Sequence, residues 1–267
     1  MSFRKLKAQI YWPTTDQKVR GSNPCGRTNS RELRLVDIVR ILNFILTRTV
    51  NVIPHEKLAA ARKLVLQNCD FVVDIGANNG QWMSTVRNHG YKGEAICIEP
   101  LKKNYVKLKS VKFNNTVTLN CAVGNKNGYV YMNVASNDGQ SSSILELDDY
   151  HSIGAPDIKY IGKEKVRISK LSKILETNKH KKIFVKIDTQ GYEFEVLKSI
   201  NKSNFNDIYA FEIEANLVST YKNSTLIEDL IKFLRGKGFQ PLRIENGFGM
   251  PNFGQQLQVD ILFVKNK

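Results

Sequence analysis

Short apolar segments rich in β-branched residues alternate with amphipathic segments through most of this chain from residue 70 onward. FVVDIG, Phe71 to Gly76, predicts a strand, and GQWMSTVRNHG predicts the helix that follows it, ending near Gly90. The order recurs in EAICIEP with LKKNYVKLKS, IFVKIDTQG with YEFEVLKSI, and DIYAFEIEA with TLIEDLIKFLRGKG. This alternation predicts a mostly parallel sheet covered by helices on both faces.

Four other segments predict strands. They form two pairs, and no helix is predicted between the two strands of either pair. VTLNCAVG and GYVYMNVA lie in the middle of the chain, and FQPLRIEN and QVDILFVKN are typical of a terminal antiparallel pair. We therefore expect one α/β domain over residues 70–267. The preceding residues 31–69 predict a helical extension, with helices at 31–48 and 55–67.

Residues 1–30 lack apolar periodicity and are rich in turn-forming residues, so we expect a disordered tail. GSNP, Gly21 to Pro24, is also what a common tRNA-gene sequence encodes, so an early start assignment is an equal alternative. The longest membrane-span candidate, Leu35 to Leu46, is interrupted by polar residues and too short to cross a bilayer. It predicts a packed amphipathic helix or a peripheral membrane contact.

The chain carries a formal net charge of +15, from 40 basic and 25 acidic residues, which favours acidic partners. Residues 157–182 concentrate this charge, with nine basic and three acidic residues. Aromatic residues do not alternate with the basic residues of that segment, and no RNA-binding signature is recognised in it. A solvated basic face is therefore favoured over a nucleic-acid groove.

Four cysteines occur without C-x-x-C spacing, which favours reduced thiols in a cytoplasmic protein. The four histidines show no metal-ligand spacing, so we expect no metal site. No secretory signal is recognised at the first residues.

Acidic residues mark the ends of successive predicted strands. In parallel sheets, ligands bind beyond the carboxyl ends of the strands. The residues expected along that edge are Asp74, Glu99, Ala122, Asp188, and Glu212 or Glu214.

The loop after the first strand distinguishes two nucleotide-like ligands. Dinucleotide sites use Gly-x-Gly-x-x-Gly, whereas this loop has Asp74-x-Gly76-x-Asn78-x-Gly80. An acidic residue opposes a pyrophosphate but suits the ammonium and sulfonium of S-adenosylmethionine, directly or through water. Glu99 can accept hydrogen bonds from the ribose hydroxyls of an adenosine. The loop therefore favours S-adenosylmethionine.

The segments FVVDIGANNG, AICIEP, LNCAVGNKNG, SSSILELDD and VKIDTQGYEFEVLKS together resemble the FkbM-type methyltransferases, from about residue 70 to about 265. The resemblance implies a Rossmann-like class I fold and S-adenosylmethionine-dependent O-methylation of a sugar, glycan or natural product. The residues expected at the cofactor are Asp74, Gly76, Ala77, Asn78, Gly80, Gln81, Glu99, Pro100, Ala122 and Asp188.

Three carboxylates are candidates for catalysis. Asp188 is the candidate general base, with cofactor or metal binding as its alternative roles. Glu193 matches the family motif, although a carboxylate early in a helix also stabilises the helix dipole. Glu212 could fix an acceptor hydroxyl or could simply lie at the surface. Lys186, two residues before Asp188, could tune it or bind the acceptor.

The sequence is also compatible with two other functions. An RNA methyltransferase is suggested by the charge, although nucleic acid is the disfavoured partner because no RNA-binding module is evident. A non-catalytic S-adenosylmethionine-binding protein is the second. The expected partner is a small-molecule or glycan acceptor, and the sequence leaves the oligomeric state open.

Overall fold

The computed structural model describes residues 55–176, 180–250 and 254–266, with the side chains of 55–59 left aside. The predicted tail at 1–30, the predicted helix at 31–48 and Cys25 lie outside these residues. No helix among the described residues is long and apolar enough to span a membrane.

The described helices and strands follow one another largely as the alternation predicts. The helices are α1 His55–Gln67, α2 Gln81–Asn88, α3 Lys102–Val111, α4 Asp149–Gly154, α5 Leu171–Ile174, α6 Glu193–Lys198, α7 Lys202–Asp207 and α8 Ile227–Gly236. The strands are β1 Phe71–Ile75, β2 Glu94–Ile98, β3 Thr116–Leu119, β4 Ala122–Val123, β5 Gly128–Ala135, β6 Tyr160–Ser169, β7 Ile183–Ile187, β8 Ile208–Asn216, β9 Phe239–Asn246 and β10 Gln258–Lys265.

Seven strands form the main sheet, in the order β3-β2-β1-β7-β8-β10-β9. The first five are parallel, and β10 runs antiparallel to both β8 and β9. Every residue of β1 and β7 is buried, which explains their continuous apolar sequences at the centre of a sheet covered on both faces. The predicted Rossmann-like class I fold and its antiparallel C-terminal pair are confirmed.

A second sheet of three strands, β4-β6-β5, was not predicted as such. The prediction of one strand over VTLNCAVG is wrong, because β3 pairs with β2 whereas β4 pairs with β6. The chain changes sheets at Asn120, whose side-chain amide donates to the carbonyls of Glu99 and Pro100. β6 lies within the basic segment 157–182, which was not assigned a strand.

Candidate active site

A cavity of about 620 Å³ opens beyond the carboxyl ends of the central strands. Eight of the ten residues expected at the cofactor line it: Gly76, Ala77, Asn78, Gln81, Glu99, Pro100, Ala122 and Asp188. Among the described residues, Asp74 and Gly80 are not part of the lining. Gly80 instead precedes α2 in a left-handed conformation, with φ of 88°.

Gly76 brings the loops after β1 and β7 into backbone contact. Its φ is +79°, and a Cβ atom added there would lie 1.8 Å from the carbonyl oxygen of Asp188. The amide of Asp188 also donates to the carbonyl of Ile75 over 3.1 Å. A glycine is therefore required at this position for steric as well as conformational reasons.

Glu99 is a buried carboxylate at the end of β2. Its Oε2 accepts from the amide of Asn78 over 2.9 Å, and its Oε1 accepts from the amide of Leu101 over 2.8 Å. Burial raises its pKa to about 7, although those two hydrogen bonds oppose the rise. Each carboxylate oxygen has a second acceptor position, so Glu99 can also receive hydroxyl donors from a ligand.

Asp74 is fully buried on β1. It pairs with Lys186 on β7, and Lys186 pairs in turn with Glu212 on β8. Neither carboxylate oxygen has a hydrogen-bond partner among the described residues, and the Lys186 Nζ lies 3.8 Å from Oδ1. Burial raises the pKa of Asp74 to about 6, against the opposing effect of Lys186. These two oxygens therefore keep unused acceptor capacity.

Asp188 lies beyond the end of β7, with about a third of its side chain exposed. Its Oδ2 accepts from the Nζ of Lys186 over 2.9 Å, and its Oδ1 accepts from the amide nitrogen of Gln190 over 2.7 Å. Gln190 also donates to Glu214, and its amide oxygen accepts from the hydroxyl of Tyr221. The carboxylate of Asp188 is thus fixed at the cavity wall.

Glu193 supports the loop that precedes α6. Its Oε1 accepts from the amides of Thr189 and Gly191 and from the hydroxyl of Thr189, at 2.9 to 3.1 Å. Among the described residues Glu193 is absent from the cavity lining. This geometry gives it a loop-supporting role and no contact with the cavity, unlike the catalytic role expected from the motif.

Glu212 lines the cavity, but its carboxylate already binds two neighbouring side chains. Arg62 of α1 donates from Nε and Nη2 over 2.7 and 2.6 Å, and the indole of Trp82 donates over 2.8 Å. Both carboxylate oxygens of Glu212 are thus already engaged by donors, Oε1 by two of them. The geometry therefore favours a structural role for Glu212 over the expected catalytic one.

Glu214 and Asp260 are cross-strand partners on β8 and β10. Glu214 accepts from the side-chain amides of Gln190 and Gln258, and both carboxyl groups line the cavity. Burial and then Asp188 raise the pKa of each, that of Asp260 to about 7. Together with Asp188 they form a row of carboxyl groups along one end of the cavity.

His151 lines the cavity and was not a predicted site residue. Its ring lies against Tyr221 and Phe248, with centroid distances of 5.4 and 5.3 Å. The side chain is buried, its Nδ1 has no partner among the described residues, and burial lowers its pKa. Burial therefore favours the uncharged imidazole, whose Nδ1 is unengaged among the described residues.

Several lining residues were missed from the sequence. They are Arg62, Trp82, His151, Gln190, Gln258 and Asp260. Asp260 could have been found, because it is the only acidic residue in the apolar segment QVDILFV and such a residue in a buried strand indicates a site. His151 and Gln190 lie in irregular segments, where periodicity gives no such signal.

The residues present fit S-adenosylmethionine. The cavity has the volume of a small-molecule site, a glycine loop forms one wall, and Glu99 offers acceptor positions at the end of β2. Asp74 supplies buried acceptor atoms that no described residue satisfies.

Comparison with protein-family models gives a match for most of the described chain. The model of the Methyltransferase FkbM domain matches residues 74–241. Comparison with curated proteins gives no significant match. The plantazolicin methyltransferase BamL, solved with a substrate analogue and SAH, superposes with a TM-score of 0.45 and 10% identity, covering 88% of this chain and 92% of that one. Precorrin-6y C5,15-methyltransferase from Geobacter metallireducens gives a TM-score of 0.43 and 11% identity, with 81% and 91% covered.

The family match covers more than half of the chain, and it begins at the residue where the glycine loop motif begins. The mostly parallel main sheet is the one that the alternation of segments predicted, and eight of the ten residues expected at the cofactor line the cavity. The chain belongs to the FkbM family of S-adenosylmethionine-dependent methyltransferases.

Proposed function

We propose that this methyltransferase acts on oxygen, and that its acceptor is a hydroxyl group of a sugar, glycan or natural product. The observation that carries the proposal is the row of Asp188, Glu214 and Asp260 at one end of the cavity. Carboxylates and carboxylic acids accept hydrogen bonds from hydroxyl donors. They disfavour an anionic acceptor at the same place, which weighs against a phosphodiester next to the methylated group.

Bound S-adenosylmethionine supplies the methyl group, and the chain must align the hydroxyl and accept its proton. Asp188 is held by Lys186 and Gln190, so its orientation is fixed before an acceptor enters. His151 is the second candidate for the proton, because it lines the cavity, its Nδ1 has no partner among the described residues, and burial lowers its pKa.

The experiment measures transfer of a radiolabelled methyl group to a panel of neutral glycosides, aminoglycosides, phosphorylated sugars and RNA. Asp188→Asn and His151→Gln remove the basic atom while keeping a similar shape. Loss of the base should reduce turnover about 10²–10⁴-fold, with unchanged affinity for S-adenosylhomocysteine in calorimetry. Each assay is repeated with chelator and with added divalent ion.

Reduced cofactor affinity with normal turnover at saturation would assign Asp188 to the cofactor instead. Label on phosphorylated sugars or RNA alone would contradict the proposed acceptor class. Label on the nitrogen of an aminoglycoside would contradict the O-specificity. Cofactor binding with no transfer to any acceptor would favour the non-catalytic alternative.

A cytoplasmic location stays a prediction, which rests on thiol chemistry. Cys69, Cys97 and Cys121 are free, and the latter two are buried. Burial raises the pKa of the Cys97 and Cys121 thiols. Such thiols behave as small apolar groups and need no oxidising compartment.

A further inference from the structure

The outer face of β5 and β6 combines aromatic and basic side chains. In the antiparallel register Tyr129 lies opposite Arg167, and Tyr131 lies opposite Lys165. Both tyrosines are largely exposed, at 68% and 64%, and the basic residues are exposed as well. We call Tyr129, Tyr131, Lys163, Lys165 and Arg167 the tyrosine–lysine face.

The opposite face of the same strands explains why packing does not require these tyrosines. Val130, Met132, Val166 and Ile168 belong to a buried cluster, and Met132 lines the cavity. Because side chains alternate along a strand, the core is built by the inner residues alone. The exposed rings therefore remain available to a partner.

The charge of the face is positive and only partly balanced. Lys163 pairs with Glu146 over 3.3 Å in an exposed ion pair, and the Nζ of Lys165 lies 5.2 Å from the ring centroid of Tyr129. No carboxylate among the described residues forms an ion pair with Lys165 or Arg167. The chain as a whole carries a net charge of +15, so an anionic partner is attracted from a distance as well.

Basic residues alone would suit any polyanion, and exposed rings alone would suit a neutral ligand. Their alternation on one open sheet suits a polyanion that carries planar rings. Single-stranded nucleic acids have this chemistry, since bases stack on aromatic side chains while phosphates pair with lysine and arginine. Tyr129 and Tyr131 are two residues apart, about 7 Å along the strand, a spacing that allows each ring its own base. Lys165 lies over one face of the Tyr129 ring and would share that ring with the base.

We propose that the tyrosine–lysine face binds single-stranded nucleic acid. The proposal concerns binding at the outer face of the small sheet, and it is independent of which group the enzyme methylates. The acidic row of the cavity lies on the other side of that sheet, so a strand bound outside keeps its phosphates away from those carboxylates.

The test measures fluorescence anisotropy of a labelled oligouridylate of about 12 nucleotides, with the full chain at about 50 mM salt. Tyr129→Ala and Tyr131→Ala should each weaken binding about fivefold or more, whereas Tyr129→Phe and Tyr131→Phe should keep it. Lys165→Ser should reduce the slope of log affinity against log salt by about 0.7.

The matched controls are Lys109→Ser, an exposed lysine of α3, and Leu242→Ala, an exposed apolar residue of β9. Both should leave affinity within about twofold. Melting temperature and S-adenosylhomocysteine binding are compared for every variant. If an alanine variant unfolds, the phenylalanine variants and Lys165→Ser still decide the result.

Absence of oligouridylate binding would overturn the proposal. Equal losses of affinity for Lys165→Ser and Lys109→Ser would also overturn it. So would an affinity that does not change when either tyrosine is replaced by alanine. Polygalacturonate that binds more tightly than the oligonucleotide, and with the same dependence on the tyrosines, would assign the face to an anionic glycan instead.

Discussion

The Lys186 ammonium lies 3.8 Å from the Asp74 carboxylate, and both side chains are buried at the centre of the main sheet. Lys186 also donates to Asp188 over 2.9 Å. Burial opposes the charged form of Lys186, but the two carboxylates outweigh that effect and raise its pKa. The charged form of Lys186 is therefore stabilised by the two carboxylates next to it.

Replacing Lys186 by methionine should remove the cation and leave two carboxylates in its place. Breaking a buried pair by removing one partner costs about 3–5 kcal/mol, and we expect that loss in urea unfolding. The double variant Lys186→Met/Asp74→Asn should recover part of it. Lys103→Met is the control, because Lys103 pairs with Asp138 at the surface. Lys103→Met should lower the free energy of unfolding by less than about 1 kcal/mol. An equally small loss for Lys186→Met would contradict the stabilising interaction of Lys186 with the two carboxylates.

Gly76→Ala should disrupt the contact between the loops after β1 and β7, because the new Cβ meets the carbonyl of Asp188. Gly90→Ala is the matched control, since Gly90 also has a positive φ but has nothing within 4 Å of an added Cβ. The control should cost about 1–2 kcal/mol for its left-handed backbone. Gly76→Ala should cost more and should also weaken S-adenosylhomocysteine binding in calorimetry. Equal losses in the free energy of unfolding for the two variants would show that the backbone moves easily to remove the clash with the Asp188 carbonyl.

Glu193→Gln should change how stability depends on pH. Burial raises the folded-state pKa of Glu193 to about 7, whereas an unfolded glutamate titrates near 4.3. Between these values the folded protein holds a proton that the unfolded chain releases, so this group lowers the free energy of unfolding as pH rises. The glutamine variant lacks the titration. Its stability relative to the natural protein should increase from pH 5 to pH 8, by up to roughly 3 kcal/mol.

A parallel pH dependence in the two proteins would contradict this assignment. Thermal melts at matched pH and ionic strength measure the difference directly. The natural protein and the variant are compared at each pH, so the titrations of buried groups that do not interact with Glu193 cancel.

Glu99→Gln should weaken binding of S-adenosylhomocysteine. The amide keeps one acceptor oxygen but loses the charge-assisted hydrogen bonds, each worth about 1.5–3 kcal/mol. Glu164→Gln is the control, because Glu164 also accepts from a backbone amide, that of Lys102, and does not line the cavity. Unchanged affinity in calorimetry for Glu99→Gln would exclude the carboxylate from the cofactor site.

Local sequence patterns predicted most of the strands of both sheets. The bounds of β5 and β9 match the predicted segments, and β1 and β7 have the continuous apolar sequences that buried parallel strands require. β6 was missed because lysines and arginines occupy its outward positions and obscure the alternation with Val166 and Ile168. No aromatic interleaving was recognised in its basic segment because the two exposed tyrosines lie on the neighbouring strand β5.

The site was predictable where it is built from consecutive residues. The glycine loop and Glu99 belong to short motifs, whereas Arg62 and Asp260 reach the cavity only through long-range strand pairing and helix packing. The sequence also could not show whether a carboxylate is already engaged. Glu193 and Glu212 looked available for catalysis, and both are held by neighbouring donors.

The position of β10 has a consequence during synthesis. β10 follows β9 along the chain but lies between β9 and β8 in the sheet. A nascent chain that has emerged only as far as residue 246 therefore exposes the edge of β8, with Glu214 lacking Gln258 and Asp260 beside it. Unpaired strand edges favour intermolecular association. A ribosomal pause before residue 258 emerges would prolong that vulnerable interval, and a chaperone that covers strand edges would act there.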